Sequence, residues 1–293
     1  MENGRDRGGH NEANRRNIGF TFGICLLVVV LACIGLGWRA VDKSRTDEQL
    51  IVAVKRSDAP AVVRLLRQGA DVDTREVESL SNRLENLSNR PQVQWIGPTA
   101  LQDAVEAVAS SPAHAAAIQI VDLLLSRGAD PNMAGADGFT PLIEACTHHE
   151  EDIVKRLLDH GADVNAATAY YATPLMFAAD CNDTGVISIL LARGADVHAK
   201  DAEGDTALIH AVQQNSAPVV LFLLQHGVDA NERGHYGLTG LMITEDPAVL
   251  RTLLDHGGDC NARSESGVTP LGFAKIYANP TILRILKRAG AHE

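Results

Sequence analysis

The sequence predicts an all-α fold: a solenoid of about seven stacked helix-turn-helix units preceded by one N-terminal transmembrane helix. Three observations predict it. Residues 18–38, IGFTFGICLLVVVLACIGLGW, contain no charged side chain. Beyond them a phrase of the type LLxxGADxN recurs, with glycines at 69, 128, 161, 194, 227, 257 and 290. A second phrase, TPLxxA, interleaves with the first, and its threonines at 140, 173 and 206 keep the same 33-residue step.

The apolar run comes first. At about 1.5 Å per residue it is long enough to cross a hydrocarbon core of roughly 30 Å. Arg15 and Arg16 on one side, and Trp38 and Arg39 on the other, suit the two interfaces. A retained single-pass anchor is favoured over a cleaved signal peptide, because no small-x-small site ends a short apolar core. A lipoprotein-type signal ending at Cys33 is opposed by the apolar sequence that continues past it, and Arg15-Arg16 also resembles a twin-arginine export signal. Basic residues flank both ends, with a pair before the span and a single arginine directly after it. The positive-inside rule alone does not decide the orientation; the closer arginine pair and a short basic tail over residues 1–17 favour a C-terminal domain outside the cytoplasm, in the periplasm if the source is bacterial.

After a linker at 39–45 the repeats run from 46 to 293. The glycine spacings are 59, 33, 33, 33, 30 and 33, a period that marks a solenoid. The units fall at about 46–73, 97–132, 137–165, 170–198, 203–231, 236–261 and 266–293, with an insertion at 74–96. The chemistry of one unit accounts for its pattern. Thr140 is placed to cap a helix and Pro141 suits the first helical position, where no N–H is needed. Leu142, Ala145 and Cys146 form one apolar stripe, His148 to Asp152 a polar turn, and Ile153, Val154, Leu157 and Leu158 a second stripe. Gly161 suits the left-handed residue that closes a helix, and Asn182 and Asn215 suit the same conformation at the inner turns. One such pair buries too little to fold alone, so neighbours must stack.

These phrases resemble the ankyrin repeat family from about residue 46 to the end. The resemblance implies a non-catalytic protein–protein interaction scaffold, with a concave contact surface built from the finger tips and the first helices. The histidine that family members often carry after T-P-L is replaced by Ile143, Met176, Ile209, Met242 and Gly272, so apolar packing takes over from hydrogen bonds there. The unit near Tyr236 loses three residues between its helices, and the unit at Thr99 gains about eight, around Ser110-Ser111-Pro112. Within the insertion, Leu80, Leu84 and Leu87 have helical spacing and Trp95 adds apolar area. Lys287 stands where inner copies carry leucine, which with Arg284 and Arg288 gives a polar terminal face.

Composition narrows the function. A net charge of −11 argues against a nucleic-acid partner, which requires clustered Lys and Arg. Five scattered cysteines make no disulfide framework and predict free thiols in the soluble part. No G-x-S-x-G, H-E-x-x-H, glycine-rich phosphate loop or C-x-x-C is present, so no enzyme activity and no cofactor are expected. His160, His226 and His256 precede closing glycines, where a cation or donor complements the helix C-terminus. His148-His149-Glu150-Glu151 has metal-ligating side chains but falls in a turn, where a solvated loop is expected.

Carried over by position, the finger tips are 133–139, 166–172, 199–205, 232–238 and 262–268. The expected protein-binding residues are Phe139, Tyr170, Tyr171, Asp201, Glu203, Arg233, His235 and Tyr236, with Trp95 on the insertion. From residue 46 onward 33 Asp and Glu face 19 Lys and Arg, which favours a protein partner with a basic surface. Two other functions compete: a regulatory subunit of a metal- or redox-dependent membrane enzyme, and an immunity-type binder of a toxic protein at the membrane.

Overall fold

The computed structural model describes residues 43–76, 97–135 and 138–292. The basic tail, the apolar run at 18–38 and most of the insertion, with Leu80, Leu84, Leu87 and Trp95, lie outside the described residues. Among the described residues no helix is long and apolar enough to cross a membrane.

Among the described residues fourteen α-helices follow one another in antiparallel pairs, and no strand is formed. The first pair is α1 (43–55) with α2 (Ala59–Arg67), and α1 takes in the end of the stretch expected to be a linker. Then come α3 (Ala100–Ser110) with α4 (His114–Ser126), α5 (Pro141–Thr147) with α6 (Glu151–Asp159), and α7 (Pro174–Asp180) with α8 (Thr184–Ala192). The last three pairs are α9 (Ala207–Gln213) with α10 (Ala217–Gln225), α11 (Gly240–Ile243) with α12 (Pro247–Asp255), and α13 (Pro270–Ile276) with α14 (Pro280–Arg288). First helices pack on first helices and second on second, giving two layers around one continuous core.

Capping chemistry sets the helix lengths. Thr140 Oγ1 accepts the Ile143 N–H at 3.3 Å and starts α5, with Pro141 at its first position. Each second helix ends on a left-handed glycine, and the N–H of the residue after it reaches back five carbonyls. Ala162 N–H thus donates to Leu157 O at 3.0 Å and Ala195 N–H to Leu190 O at 3.0 Å. That closure is the physical content of the glycine and the residue after it in each phrase, alanine in most copies, Val228 and Gly258 in two. The first helices close in the same way on residues with a side chain: Ser57, His149, Asn182, Asn215 and Ala278 all have positive φ. Asparagine was anticipated there; serine, histidine and alanine were not.

The Asp and Asn of the phrase staple one unit to the next. Asp163 Oδ1 accepts the Asn165 N–H at 2.9 Å within its own turn. Asn132 bridges forward, its Nδ2 donating to Gly161 O at 3.0 Å and its Oδ1 accepting the Asp163 N–H at 2.7 Å. Asn165 and Asn231 repeat the bridge. His198 interrupts it and pairs instead with Glu232, 2.8 Å away.

The irregular spacings resolve into helix and finger lengths. In an ordinary finger the N–H of one residue donates to the carbonyl four places on, as Thr168 does to Ala172 at 3.0 Å. At the first finger Glu76 N–H donates to Pro98 O at 2.9 Å, twenty-two places on, so eighteen extra residues leave from a finger whose base stays paired. The 59-residue spacing exceeds 33 by twenty-six, and the other eight lie in the helices: α3 has 11 residues against the usual seven, and α4 has 13 against nine. The eight residues expected in the loop therefore extend each helix by about one turn. In the sixth unit the missing three residues shorten α11 to four, and Thr244 runs extended into the Asp246 cap. The lost turn leaves a cleft of about 270 Å³ between α11 and α13, lined by Ile243, Thr244, Ala274, Tyr277 and Asn279 among others. At the far end Leu286 is buried while Arg284, Lys287 and Arg288 are exposed.

Candidate protein-binding surface

Five described fingers share one turn. A positive-φ residue precedes the hairpin's acceptor, and it is Gly138, Gly204, Gly237 or Gly267 in four of them. In the remaining one it is Tyr171, at φ 60°. Tyr236, next to Gly237, is also left-handed at φ 54°. A bulky side chain in this region is a backbone outlier costing on the order of 1–3 kcal/mol. Neither ring recovers that cost by burial, since Tyr171 and Tyr236 are each 65% exposed and Tyr170 is 66% exposed. Neighbouring fingers support the tips through the backbone: Ala202 N–H donates to Tyr170 O at 2.8 Å and Glu265 N–H to Tyr236 O at 3.1 Å.

The other expected residues divide by what they touch. Glu203 is exposed, and its carbonyl accepts the His235 Nδ1–H at 3.1 Å. The His235 ring lies against Tyr236 with centroids 3.7 Å apart, a contact that fixes the direction of the tyrosine. Phe139 is half-buried and meets Phe177 of α7 edge-on, centroids 5.3 Å apart. Asp201 turns inward: its Oδ1 accepts the Glu203 and Asp205 N–H groups, each at 2.9 Å, and its Oδ2 lies 3.2 Å from His210 Nε2. Arg233 clamps two fingers, donating to Gly237 O at 3.0 Å and Arg263 O at 2.7 Å. Trp95 lies outside the described residues.

Sequence pattern did not single out His210. It stands on α9 between Asp180 of the preceding unit, 3.1 Å away, and Asp201 of its own finger. Burial opposes its imidazolium, but the hydrogen bonds and charges of Asp180 and Asp201 together outweigh burial and raise its pKa above the ordinary histidine value. Ile276 and Tyr277, at the end of α13, were also missed and are 68% and 65% exposed. Their signal was available in the deletion one unit earlier, which removes the helix turn that would cover them.

The remaining candidates have structural partners. His160, His226 and His256 each place Nδ1 2.8 Å from the carbonyl four residues back, capping their helices. His148 pairs with Glu144 and His149 with Asp183, each at 3.0 Å, so the two rings point to different partners. Among the described residues no group of three or more His, Cys, Asp and Glu is arranged to hold a metal ion. Cys146, Cys181 and Cys260 are free thiols, and burial raises the Cys146 thiol well above its usual range.

Paired helices in two layers, joined by hairpin fingers, define a stacked-repeat scaffold. The chain belongs to the ankyrin repeat family: the model described as ankyrin repeats (3 copies) matches residues 29–168, 107–201 and 168–234. No curated protein matches the chain. Its fold is that of a protein–protein interaction scaffold.

Proposed function

We propose that this chain is a single-pass membrane protein whose repeats, on the extracytoplasmic side, bind a basic protein partner through the finger tips and the first helices. The observation that carries the binding surface is the strained, exposed tyrosine pair. Tyr171 and Tyr236 hold left-handed backbone at a cost and gain no burial from it. An exposed, directed aromatic ring is the side chain that contributes most when a partner covers it. Over residues 97–293, 25 Asp and Glu against 12 Lys and Arg leave a balance of −13, which favours a partner carrying Lys or Arg. Cations of that kind also suit tyrosine faces. The anchor rests on the uncharged run at 18–38.

The test places a photo-cross-linking phenylalanine analogue at position 170 of the full chain in source cells. A discrete cross-linked protein is expected, weakened by Tyr236→Ala. The same analogue at Ser188, exposed on the outer helix α8, serves as the comparison. Equal cross-linking from 188, or none from 170, sinks the proposal. Tyr171→Gly separates strain from recognition: relief of the left-handed tyrosine keeps or raises stability, by up to about 1 kcal/mol, while the cross-link falls.

A further inference from the structure

We infer that the first unit carries a docking face for anionic phospholipid, which sets the solenoid end-on against the bilayer; this rests on the membrane anchor proposed above. Arg45, Gln49 and Val52 recur on one face of α1, opposite the buried Leu50 and Val54, and Arg56 follows directly after its last turn at the same spacing. Arg64 and Arg67 lie one helical turn apart on the exposed side of α2. All four arginines are exposed, and none has a carboxylate or hydrogen-bond partner among the described residues.

The other cations of this unit are engaged. Lys43 pairs with Asp71 at 3.4 Å, Lys55 with Glu76 at 2.8 Å, and Arg75 donates to Gly97 O at 3.1 Å. Asp58 accepts the Ala61 N–H as the cap of α2, Glu48 lies on the flank of the α1 face, and neither forms an ion pair with these arginines. Val52, 42% exposed, is the one large hydrophobic exposed in this unit, and it lies on the same helix face between Arg45 and Arg56. Free guanidinium groups around a small apolar spot suit phosphate headgroups, which the planar fork binds bidentately.

Two facts select a bilayer as the occupant. Six residues, 39–44, separate the apolar run from Arg45 in the sequence, a reach of at most roughly 20 Å at full extension. The first unit is therefore tethered close to the bilayer, and α1 lying along the surface would bring its arginines within the distance over which the surface charge is felt. The charge is also polarised: residues 43–76 carry seven Lys and Arg against six Asp and Glu, a balance of +1, against −13 over 97–293. An anionic surface attracts the first unit and repels the rest, which turns the stack outward and leaves the fingers clear.

The experiment reconstitutes the full chain into nanodiscs of phosphatidylcholine alone or with phosphatidylglycerol. A photo-cross-linking residue replaces Gln49, and a second sample carries it at Gln214, in the turn after α9. Lipid adducts are read by mass spectrometry. Adducts from 49 are expected in the anionic discs, with little from 214. Each single Arg→Gln at 45, 56, 64 or 67 should reduce docking up to about fivefold. A chain embedded in both discs but giving the same adducts in each, or unaffected by the glutamine variants, overturns the docking face and leaves the anchor standing. A chain that enters neither disc overturns both.

Discussion

Replacing Asp103 with asparagine removes a carboxylate that the fold holds at a disadvantage. Asp103 sits on α3 with its side chain 1% exposed, 3.6 Å from Lys55 Nζ, and its Oδ2 has no hydrogen-bond partner among the described residues. Burial, with Glu76 and Glu106 adding repulsion, outweighs Lys55 and raises the carboxyl from 3.8 to about 7. The native state therefore holds this proton more tightly than the unfolded chain does. The associated stability is fully present below about pH 4 and is lost as the pH rises through 7. Three pK units at 1.36 kcal/mol each put the loss at about 4 kcal/mol. Asparagine keeps an acceptor for Lys55 and cannot ionise, and Glu76 still holds Lys55. Asp103→Asn should thus stabilise the chain at pH 8 by about 2–4 kcal/mol and change it little at pH 4. Urea unfolding of the full chain in mild detergent, followed by circular dichroism at pH 4, 6 and 8, measures this. A variant less stable than wild type at pH 8, or a wild type indifferent to pH between 5 and 8, would refute the reasoning.

Three further outcomes are expected. His198→Asn restores the missing staple to Gly227 O and the Asp229 N–H and should raise stability by about 1 kcal/mol in the same urea assay; an unchanged midpoint counts against the staple. His210→Gln removes a histidine whose folded pKa is raised, so its stabilisation is present below the unfolded value of 6.5 and lost as pH rises through the folded one. The variant should be weakened at pH 6 and little changed at pH 9, and equal loss at both pH values contradicts the Asp180–His210–Asp201 bridge. For the anchor, a reporter active only outside the cytoplasm, fused at Glu293, should be active, and activity of the cytoplasmic counterpart instead reverses the orientation.

Much of the fold was legible because each recurring residue does one local job. The glycine of Gly-Ala-Asp closes a helix, the aspartate caps its own turn and the asparagine bonds the next unit, so the period in sequence is a period in hydrogen bonds. What misled was length. Eight extra residues beside Ser110-Ser111-Pro112 look like loop, because serine and proline are turn residues. Yet the flanking stretches 104–109 and 114–118 are mostly alanine and valine and extend the helices instead. Gln102 was also passed over. The position after T-P-L reads as apolar in the other units, but Gln102 donates to Phe139 O at 2.8 Å and supplies the inter-unit hydrogen bond that the others lack.

The surface was less legible, because composition names side chains but not the direction they face. Three carboxylates on one finger, Asp201, Glu203 and Asp205, look alike in sequence. In the fold Asp201 binds its own turn and His210, Asp205 is buried against the His235 N–H and Gln213, and Glu203 alone points outward. The tyrosines show the converse. Nothing in Ala-Tyr-Tyr-Ala states that its second tyrosine occupies the place glycine holds in the other fingers; only aligning the hairpin hydrogen bonds does. Framework positions repeat because every unit needs the same caps and staples. Ser57, His149 and Ala278 also hold positive φ, but each closes a helix of its own unit, whereas Tyr171 and Tyr236 stand at the finger tips. Asp201 and Arg233 serve the finger itself, whereas the Tyr171 and Tyr236 rings stay largely exposed, and that difference is why the proposed contact surface is centred on them.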